Sequence, residues 1–142
     1  MFDLADYLAK YERSVRKLIE EKKVEEAKKN LDEILRIITS SQFLDSEIDK
    51  LLVILNKLHE DYMIIEDYER AFVPLYLIYR YSGGKYPIVQ DIKNFLKNLP
   101  LGFNVSTFES QINEIVGDNW EIKELMEILK KNFERIKREN VI

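Results

Sequence analysis

The sequence predicts an all-α fold, and three observations lead to that prediction. Glycine and proline number only 4 and 3 among 142 residues, whereas the many turns of a β-sandwich or barrel need more of both. Apolar residues recur at spacings of three and four, which is the period of an amphipathic helix. No segment has a strand pattern with a second strand to pair with. We therefore expect one domain, residues 1–142, built as a bundle of about seven helices.

The N-terminal part of the chain predicts a helical hairpin. One helix is expected from about Asp3 to Lys22, and a second follows with almost no break up to Thr39. Their apolar stripes consist of Leu4, Leu8, Tyr11, Val15 and Leu18, and of Val24, Ala27, Leu31, Ile34 and Ile38. Because the connection is so short, the two helices would lie antiparallel. A third helix is expected to open at Asp45 and to end near Asp61.

The segment from Tyr68 to Tyr81 predicts a different kind of helix. It has almost no polar side chain after residue 70, and a helix that is apolar on all sides is a central, buried one. Pro74 either starts this helix or kinks it, and both alternatives are open. The Ser-Gly-Gly sequence at 82–84 ends it. The residues expected in the core are Leu75, Leu77, Ile78, Phe95 and Ile112.

Three further helices complete the bundle. A short one is expected over residues 87 to about 98, and another is expected after a cap at Ser106 or Thr107. Asp118 or Asn119 would cap the last helix, because such residues accept the unpaired amides of a first turn. Its apolar stripe is expected to contain Trp120, Leu125, Leu129, Phe133 and Ile136.

Composition excludes several functional classes. The chain has no cysteine, which excludes disulfides, zinc–thiolate sites, iron–sulfur clusters and catalytic thiols within it. The chain has one histidine, His59, and a polyhistidine metal site needs several histidine ligands. No cofactor is therefore expected. A net charge of −4 argues against a duplex-DNA binder held by phosphate contacts alone. Short, charge-broken apolar runs and an acidic N-terminus predict a soluble, cytoplasmic protein without a membrane span.

No motif in the sequence carries a visible reaction centre. The Gly-Gly-Lys sequence at 83–85 lacks the second glycine and the Ser or Thr of a phosphate-binding loop. Asp61, Glu66, Asp67 and Glu69 cluster along the chain, and we interpret them as a solvated loop with acids at a helix start. From the residues alone, the chain is a binding or scaffold protein.

One region is better suited than the rest to an anionic ligand. Between positions 80 and 97, the cations Arg80, Lys85, Lys93 and Lys97 are accompanied by one acid, Asp91. Lysine and arginine side chains are the groups that bind phosphates. The sequence therefore favours the second half of the chain for such a ligand.

The order of features in residues 69–115 resembles the C-terminal domain of the large primase subunit of archaea and eukaryotes. That family has an Arg before a buried helix, a Gly at its end, an (E/D)-I-x-x-x-F helix, a P-x-F-N loop and a Q-(I/V)-x-x-I helix. The matching residues here are Arg70, Gly83, Asp91, Ile92, Phe95, Pro100, Phe103, Asn104, Gln111, Ile112 and Ile115. The family domain holds an iron–sulfur cluster by cysteines, and this chain has none. A domain of that kind without a cluster is similar to the noncatalytic third subunit of some archaeal primases, the PriX family.

The resemblance implies a noncatalytic subunit that supports RNA primer synthesis in DNA replication. Catalysis and Mg²⁺ would belong to the small subunit, so this chain is not an enzyme on its own. It would bind the initiating nucleoside triphosphate, or the 5′-triphosphate of the primer, beside the template DNA. Its partners would be the catalytic small subunit and the large subunit. Residues 66–142 would form the primase-like part, and residues 1–62 a helical scaffold for docking.

The nucleotide site that the resemblance implies is centred on one arginine. Arg70 would bind phosphates, with Tyr68 beside it to stack on a base. Weaker candidates for phosphate contacts are Lys85, Lys93 and Lys97. The competing interpretation is that Arg70 pairs with Glu66 or Asp67 on the surface.

Two other functions remain open. The heptad-like N-terminal helices are typical of a protein–protein interaction adaptor with no nucleotide site. A helix-turn-helix DNA binder made from the last two helices is the third possibility, and the negative net charge counts against it.

Overall fold

The structure is a computed structural model that describes residues 3–84 and 87–140. All regular structure in these residues is helical, which confirms the all-α prediction. Its seven α-helices are α1 (Leu4–Glu20), α2 (Val24–Thr39), α3 (Ile48–Ile64), α4 (Tyr68–Tyr81), α5 (Val89–Lys97), α6 (Glu109–Val116) and α7 (Trp120–Glu139). Two short 3₁₀ turns, Asp45–Glu47 and Val105–Phe108, precede α3 and α6. None of the helices in the described ranges has both the length and the apolar character of a membrane crossing.

The chain forms two compact units, Met1–Tyr86 and Pro87–Ile142. The first contains α1 to α4, and the second contains α5 to α7. The region that resembles the primase domain therefore contributes residues to both units. The expected division into parts 1–62 and 66–142 of one domain stays a prediction.

In the first unit, α1 packs against α2 and α3, and α4 packs against α3. The connection of only three residues between α1 and α2 confirms the predicted tight hairpin, and Lys22 takes a positive φ of 62° in that turn. The third helix runs one turn beyond its predicted end, to Ile64. The apolar side chains that fill the middle of this unit include Leu8, Val15, Leu31, Ile38, Leu55, Leu58 and Leu75.

The prediction that α4 is buried on every side is wrong. One side of the helix is buried, with Ala71, Phe72, Pro74, Leu75 and Ile78, whereas Leu77 is only half-buried and Val73 is exposed. Because α4 packs mainly against α3, its far side is covered only in part, by contacts such as that of Tyr81 with Ile38 of α2. Pro74 lies inside the helix, so α4 begins before the proline and not at it. Leu75 and Ile78 are core residues as predicted, and Leu77 is not.

The second unit has an aromatic centre. Phe108 meets Phe95 edge-on and stacks against Phe103, with 5.5 Å between ring centroids in both pairs. Ile92 of α5 and Ile112 of α6 are also buried, and so is Phe95, which confirms Phe95 and Ile112 as core residues. Of the residues in this unit that match the primase pattern, Ile92, Phe95 and Ile112 are core residues, whereas Pro100 and Asn104 are exposed.

The last helix begins as predicted, and four of the five residues of its expected apolar stripe are half-buried: Leu125, Leu129, Phe133 and Ile136. Asn119 is the cap, since its Oδ1 accepts the amide of Ile122 at 3.1 Å. Trp120 was expected in the core stripe, but it is 68% exposed, whereas Ile122 and Met126 are buried. Successive residues turn by about 100° around a helix, so a side chain two residues before Ile122 points to the opposite side.

Candidate functional site

Arg70 lies in the first turn of α4, where Asp67 caps the helix. Asp67 Oδ1 accepts the backbone N–H of Arg70 at 3.2 Å, and Asp67 Oδ2 accepts from Arg70 Nη1 at 3.1 Å. Arg70 Nε also lies 3.3 Å from Oδ1 of Asp32 on α2. The guanidinium is thus held between two carboxylates from different helices. Pairing with Asp67 agrees with the competing interpretation of Arg70, and the contact with Asp32 was not expected.

A buried tyrosine connects this surface group to the interior. Tyr62 is fully buried, and its hydroxyl donates to Asp32 Oδ1 at 2.7 Å. Burial, followed by the hydrogen bond to Asp32, raises the pKa of the Tyr62 phenol well above its usual range. The pKa of Arg70 is also raised, first by its hydrogen bond to Asp67 and then by the charge of Asp32. Arg70 therefore remains charged and is oriented by groups that are part of the fold.

The charges around Arg70 limit what it can bind. Lys28 Nζ lies 3.4 Å from Asp67 Oδ2, so two cations and two carboxylates balance within this group. Next to it, a shallow depression on α2 is lined by Glu25, Glu26, Lys28, Lys29 and Asp32. Arg70 is nevertheless 49% exposed. A phosphate can reach the open edge of the guanidinium, although it would approach several carboxylates.

The other predicted binding residues lie elsewhere. Tyr68 is the half-buried first residue of α4, in the same turn as Arg70. Lys93 and Lys97 are one turn apart on α5 in the second unit, where Lys93 pairs with Glu121 of α7. Lys97 is exposed, and Lys93 and Lys97 together lower the pKa of Glu121. Lys85 lies outside the described residues. The structure thus places two candidates in each unit.

The most unusual charged group in the first unit was missed by the sequence analysis. Glu12 of α1 and Asp61 of α3 are 1% and 0% exposed, and Arg16 contacts both. Arg16 donates to Asp61 Oδ1 through Nε at 3.1 Å and through Nη2 at 2.8 Å. The other oxygen of Asp61 and Glu12 Oε2 are buried without a hydrogen-bond donor. A proton held by Asp61 and donated to Glu12 would supply one.

Burial is the main reason why the pKa of Asp61 rises, from 3.8 to about 8, and the hydrogen bond with Glu12 adds to it. The positive charge of Arg16 and its hydrogen bond to Asp61 lower this pKa and so partly offset the rise. The interpretation of Asp61 as part of a solvated acidic loop is therefore wrong, whereas Glu66 and Glu69 are exposed and Asp67 is a helix cap as expected.

The helical pattern of the sequence could have identified Asp61 as buried, because it follows the buried Leu58 by three residues, which is the helical spacing of a core position. Glu12 likewise follows the buried Leu8 by four residues, so it also occupies a core position of its helix.

No group of three or more histidine, cysteine, aspartate and glutamate side chains in residues 3–84 and 87–140 is arranged to hold a metal ion. Comparison with known proteins gives no relative: no family model, no curated protein and no solved structure matches the chain.

Proposed function

We propose that this chain is a noncatalytic subunit of a primase complex, working in the cytoplasm beside a catalytic small subunit and a large subunit. The observation that carries the proposal is the ordered set of residues from Arg70 to Ile115. Four residues of that set in the second unit also contribute to the fold. Ile92, Phe95 and Ile112 are buried, and Phe103 stacks on Phe108.

In this proposal the chain contributes binding and no bond-making chemistry. The initiating nucleotide, or the primer 5′-triphosphate, contacts the open edge of the Arg70 guanidinium, and Tyr68 is next to it. In the second unit, Lys97 is a separate candidate for a phosphate contact, since it is exposed and makes no ion pair with a described residue. Lys93 would have to leave Glu121 to take part, and Lys85 stays a candidate. The template lies against the assembled complex, and Mg²⁺ belongs to the catalytic subunit.

Purification of the native protein from its source tests the assignment to a complex. Both primase subunits should be recovered with it in stoichiometric amount. The isolated chain, given template, nucleotides and Mg²⁺, should make no primer above background. Recovery without either subunit, or robust synthesis by the isolated chain, would refute the assignment.

Calorimetric titration with ATP or GTP tests the nucleotide site in the assembled complex. Arg70→Ala should weaken binding by about tenfold or more, because a charge-assisted contact is worth roughly 1.5–3 kcal/mol. Arg70→Lys should also bind poorly, since lysine lacks the planar fork. Arg36→Ala is the matched control, because Arg36 is an exposed arginine paired with an acid three residues away, Glu33. Equal affinities for wild type, Arg70→Ala and Arg36→Ala would eliminate the site.

A second function is favoured by a specific observation. Both carboxylate partners of Arg70 and the neighbouring acids of α2 oppose an anion, whereas large apolar side chains such as Leu44 and Trp120 are exposed. These features suit a helical protein–protein interaction adaptor without a nucleotide site. If wild type and all variants bind no nucleotide while the complex stays intact, the adaptor function is supported and the nucleotide site is rejected.

A further inference from the structure

The outer side of α7 carries a continuous exposed stripe. The helix has 20 residues, which corresponds to about 30 Å at 1.5 Å per residue. Its core side contains Ile122 and Met126. The opposite side presents residues spaced by three or four positions, all exposed: Trp120, Glu124, Ile128, Lys131, Arg135 and Arg138. Trp120 is 68% exposed and Ile128 50%, so two large apolar side chains lie in the open within a charged surface.

The charges on this stripe are separated along the helix. Glu124 lies in the N-terminal half, whereas Lys131, Arg135 and Arg138 lie in the C-terminal half. Glu124, Lys131 and Arg135 form no ion pair with any residue in the described part of the chain. Acids near a helix start and bases near its end favour the helix dipole. The dipole does not explain why exposed apolar side chains occupy the same stripe.

We propose that a second copy of this chain binds here, with the two α7 helices antiparallel about a two-fold axis near residue 129. This arrangement is self-complementary, as a two-fold interface must be. It places Glu124 of each copy opposite Arg135 of the other, and Trp120 opposite Arg138. The first pair is a charge-assisted hydrogen bond, and the second is a cation–π contact. Ile128 lies close to the axis, where it is covered by the partner's helix.

Other occupants fit the stripe less well. A parallel pair of α7 helices would place Glu124 against Glu124 and Arg135 against Arg135, which is repulsive. A nucleic acid would be attracted by Lys131 and Arg135 but repelled by Glu124 and by the neighbouring Glu127 and Glu134. A single helix face is smaller than the roughly 800 Å² per partner of a standard interface. The dimer is therefore weak, and its formation depends on protein concentration and on salt.

Charge reversal provides the sharpest test, with the full chain at low salt. The molar mass of the wild type, measured by light scattering or sedimentation, should rise from monomer to dimer between micromolar and near-millimolar concentration. Glu124→Arg and Arg135→Glu should each raise the dissociation constant by about tenfold or more, since like charges are then opposed. An equimolar mixture of these two variants should dimerise again, because both ion pairs are restored across the axis. The double variant should dimerise by itself for the same reason.

The only tryptophan of the chain gives an independent measurement. Trp120 emission should shift to shorter wavelength as the wild type dimerises and should stay red-shifted in either single variant. Glu20→Arg and Arg13→Glu are matched controls on α1, where both residues are exposed and make no ion pair with a described residue. They should leave dimerisation unchanged.

Three results would overturn the proposal. These are a wild type that stays monomeric at every concentration, a mixture of the two variants that associates no better than each alone, and a monomer whose Trp120 emission responds to single-stranded DNA. The last result would assign the stripe to nucleic acid. The dimer does not depend on the primase assignment, so either can fail without the other.

Discussion

At the scale of single residues, Tyr62 links the interior of the first unit to the surface group around Arg70. A buried phenol hydroxyl requires a hydrogen-bond partner, and here the partner is Asp32, which also contacts Arg70. Asp32 is therefore oriented from both sides. Replacing Arg70 changes the environment of a side chain that satisfies a core residue, and a stability measurement has to accompany any binding measurement at Arg70.

Tyr62→Phe should lower the free energy of unfolding by about 1–3 kcal/mol, because a hydrogen bond to a charged acceptor is lost. Arg70→Ala should cost only about 0–1 kcal/mol, since its ion pairs are half-exposed. The double variant should lose less than the sum of the two, because both changes act on Asp32. Urea denaturation of the four proteins completes the cycle. Strictly additive losses would show that Asp32 does not couple the two residues.

At the scale of helices, α4 shows how an almost wholly apolar sequence can be buried on one side only. Its far side keeps Val73 exposed and Leu77 half-buried. The aromatic side chains of α4 make their own contacts there: the Tyr81 hydroxyl donates to the Ile38 carbonyl at 3.2 Å, and the Arg80 guanidinium lies over the Tyr76 ring. Tyrosine and arginine have apolar bodies with polar ends, so they can cover part of a helix face, and Tyr81 also reaches the neighbouring α2.

Leu75→Ala and Leu77→Ala form a matched pair on α4. Leu75 is 1% exposed, and its truncation should cost about 2–5 kcal/mol. Leu77→Ala should cost about 1 kcal/mol or less, because part of its surface already contacts water. Denaturation midpoints in urea measure the difference. Equal losses in the two variants would mean that α4 is covered on its far side after all.

Gly102 belongs to the loop that joins α5 to the second 3₁₀ turn, and its backbone requires glycine for two reasons. Its φ is +84°, and a Cβ at this position would lie 3.1 Å from Cδ1 of Ile136 on α7. Gly83 also has a positive φ, +65°, but a Cβ there would meet nothing within 4 Å. Gly83→Ala should therefore cost about 1 kcal/mol from backbone strain alone.

Gly102→Ala should cost about 1 kcal/mol more than Gly83→Ala, because the Ile136 side chain has to give way by a few tenths of an ångström to the new methyl group. Thermal unfolding of both variants measures the difference in stability. If Gly102→Ala were no worse than Gly83→Ala, the contact between this loop and Ile136 would be loose.

At the scale of the whole molecule, the raised pKa of the buried Asp61 makes stability depend on pH. The pKa of Asp61 is raised to about 8 in the folded protein, whereas in the unfolded chain it lies near 3.9. Between these two values the folded state binds more protons than the unfolded state. The free energy of unfolding therefore falls as the pH rises, by at most about 1.4 kcal/mol per pH unit. Asp3, Glu33 and Glu121, whose pKa values are lowered, act with the opposite sign but only at more acidic pH.

Wild type should accordingly be less stable at about pH 8 than at about pH 5.5, and Asp61→Asn should lack most of this difference. Any contribution of His59 is common to both proteins and cancels in the comparison. Glu60→Gln is the control, because Glu60 contacts Arg16 from the surface. Urea denaturation at the two pH values gives the result. An Asp61→Asn variant with the same pH dependence as wild type would show that the proton is not held at Asp61.

Local pattern was sufficient for much of the fold. The tight α1–α2 hairpin, a cap of α7 at Asp118 or Asn119, and the burial of Leu75, Ile78, Phe95 and Ile112 follow from spacing and capping chemistry. Apolar spacing and helix capping both depend on residues within one or two helical turns, and these residues can be read directly from the sequence. Trp120 could also have been placed correctly, because the helical phase separates it from Ile122.

The sequence by itself determined that the chain is helical, where most helices begin, and which face of each is apolar. Only the tertiary structure decided what lies on the other side of those faces. It left one side of α4 uncovered, brought Asp32 to Arg70 over 38 positions, and brought Asp61 to Glu12 and Arg16 over more than 40. The physical reason is that helix formation depends on neighbours along the chain, whereas burial and charge pairing depend on which helices pack together. That choice is made by the free energy of the whole fold.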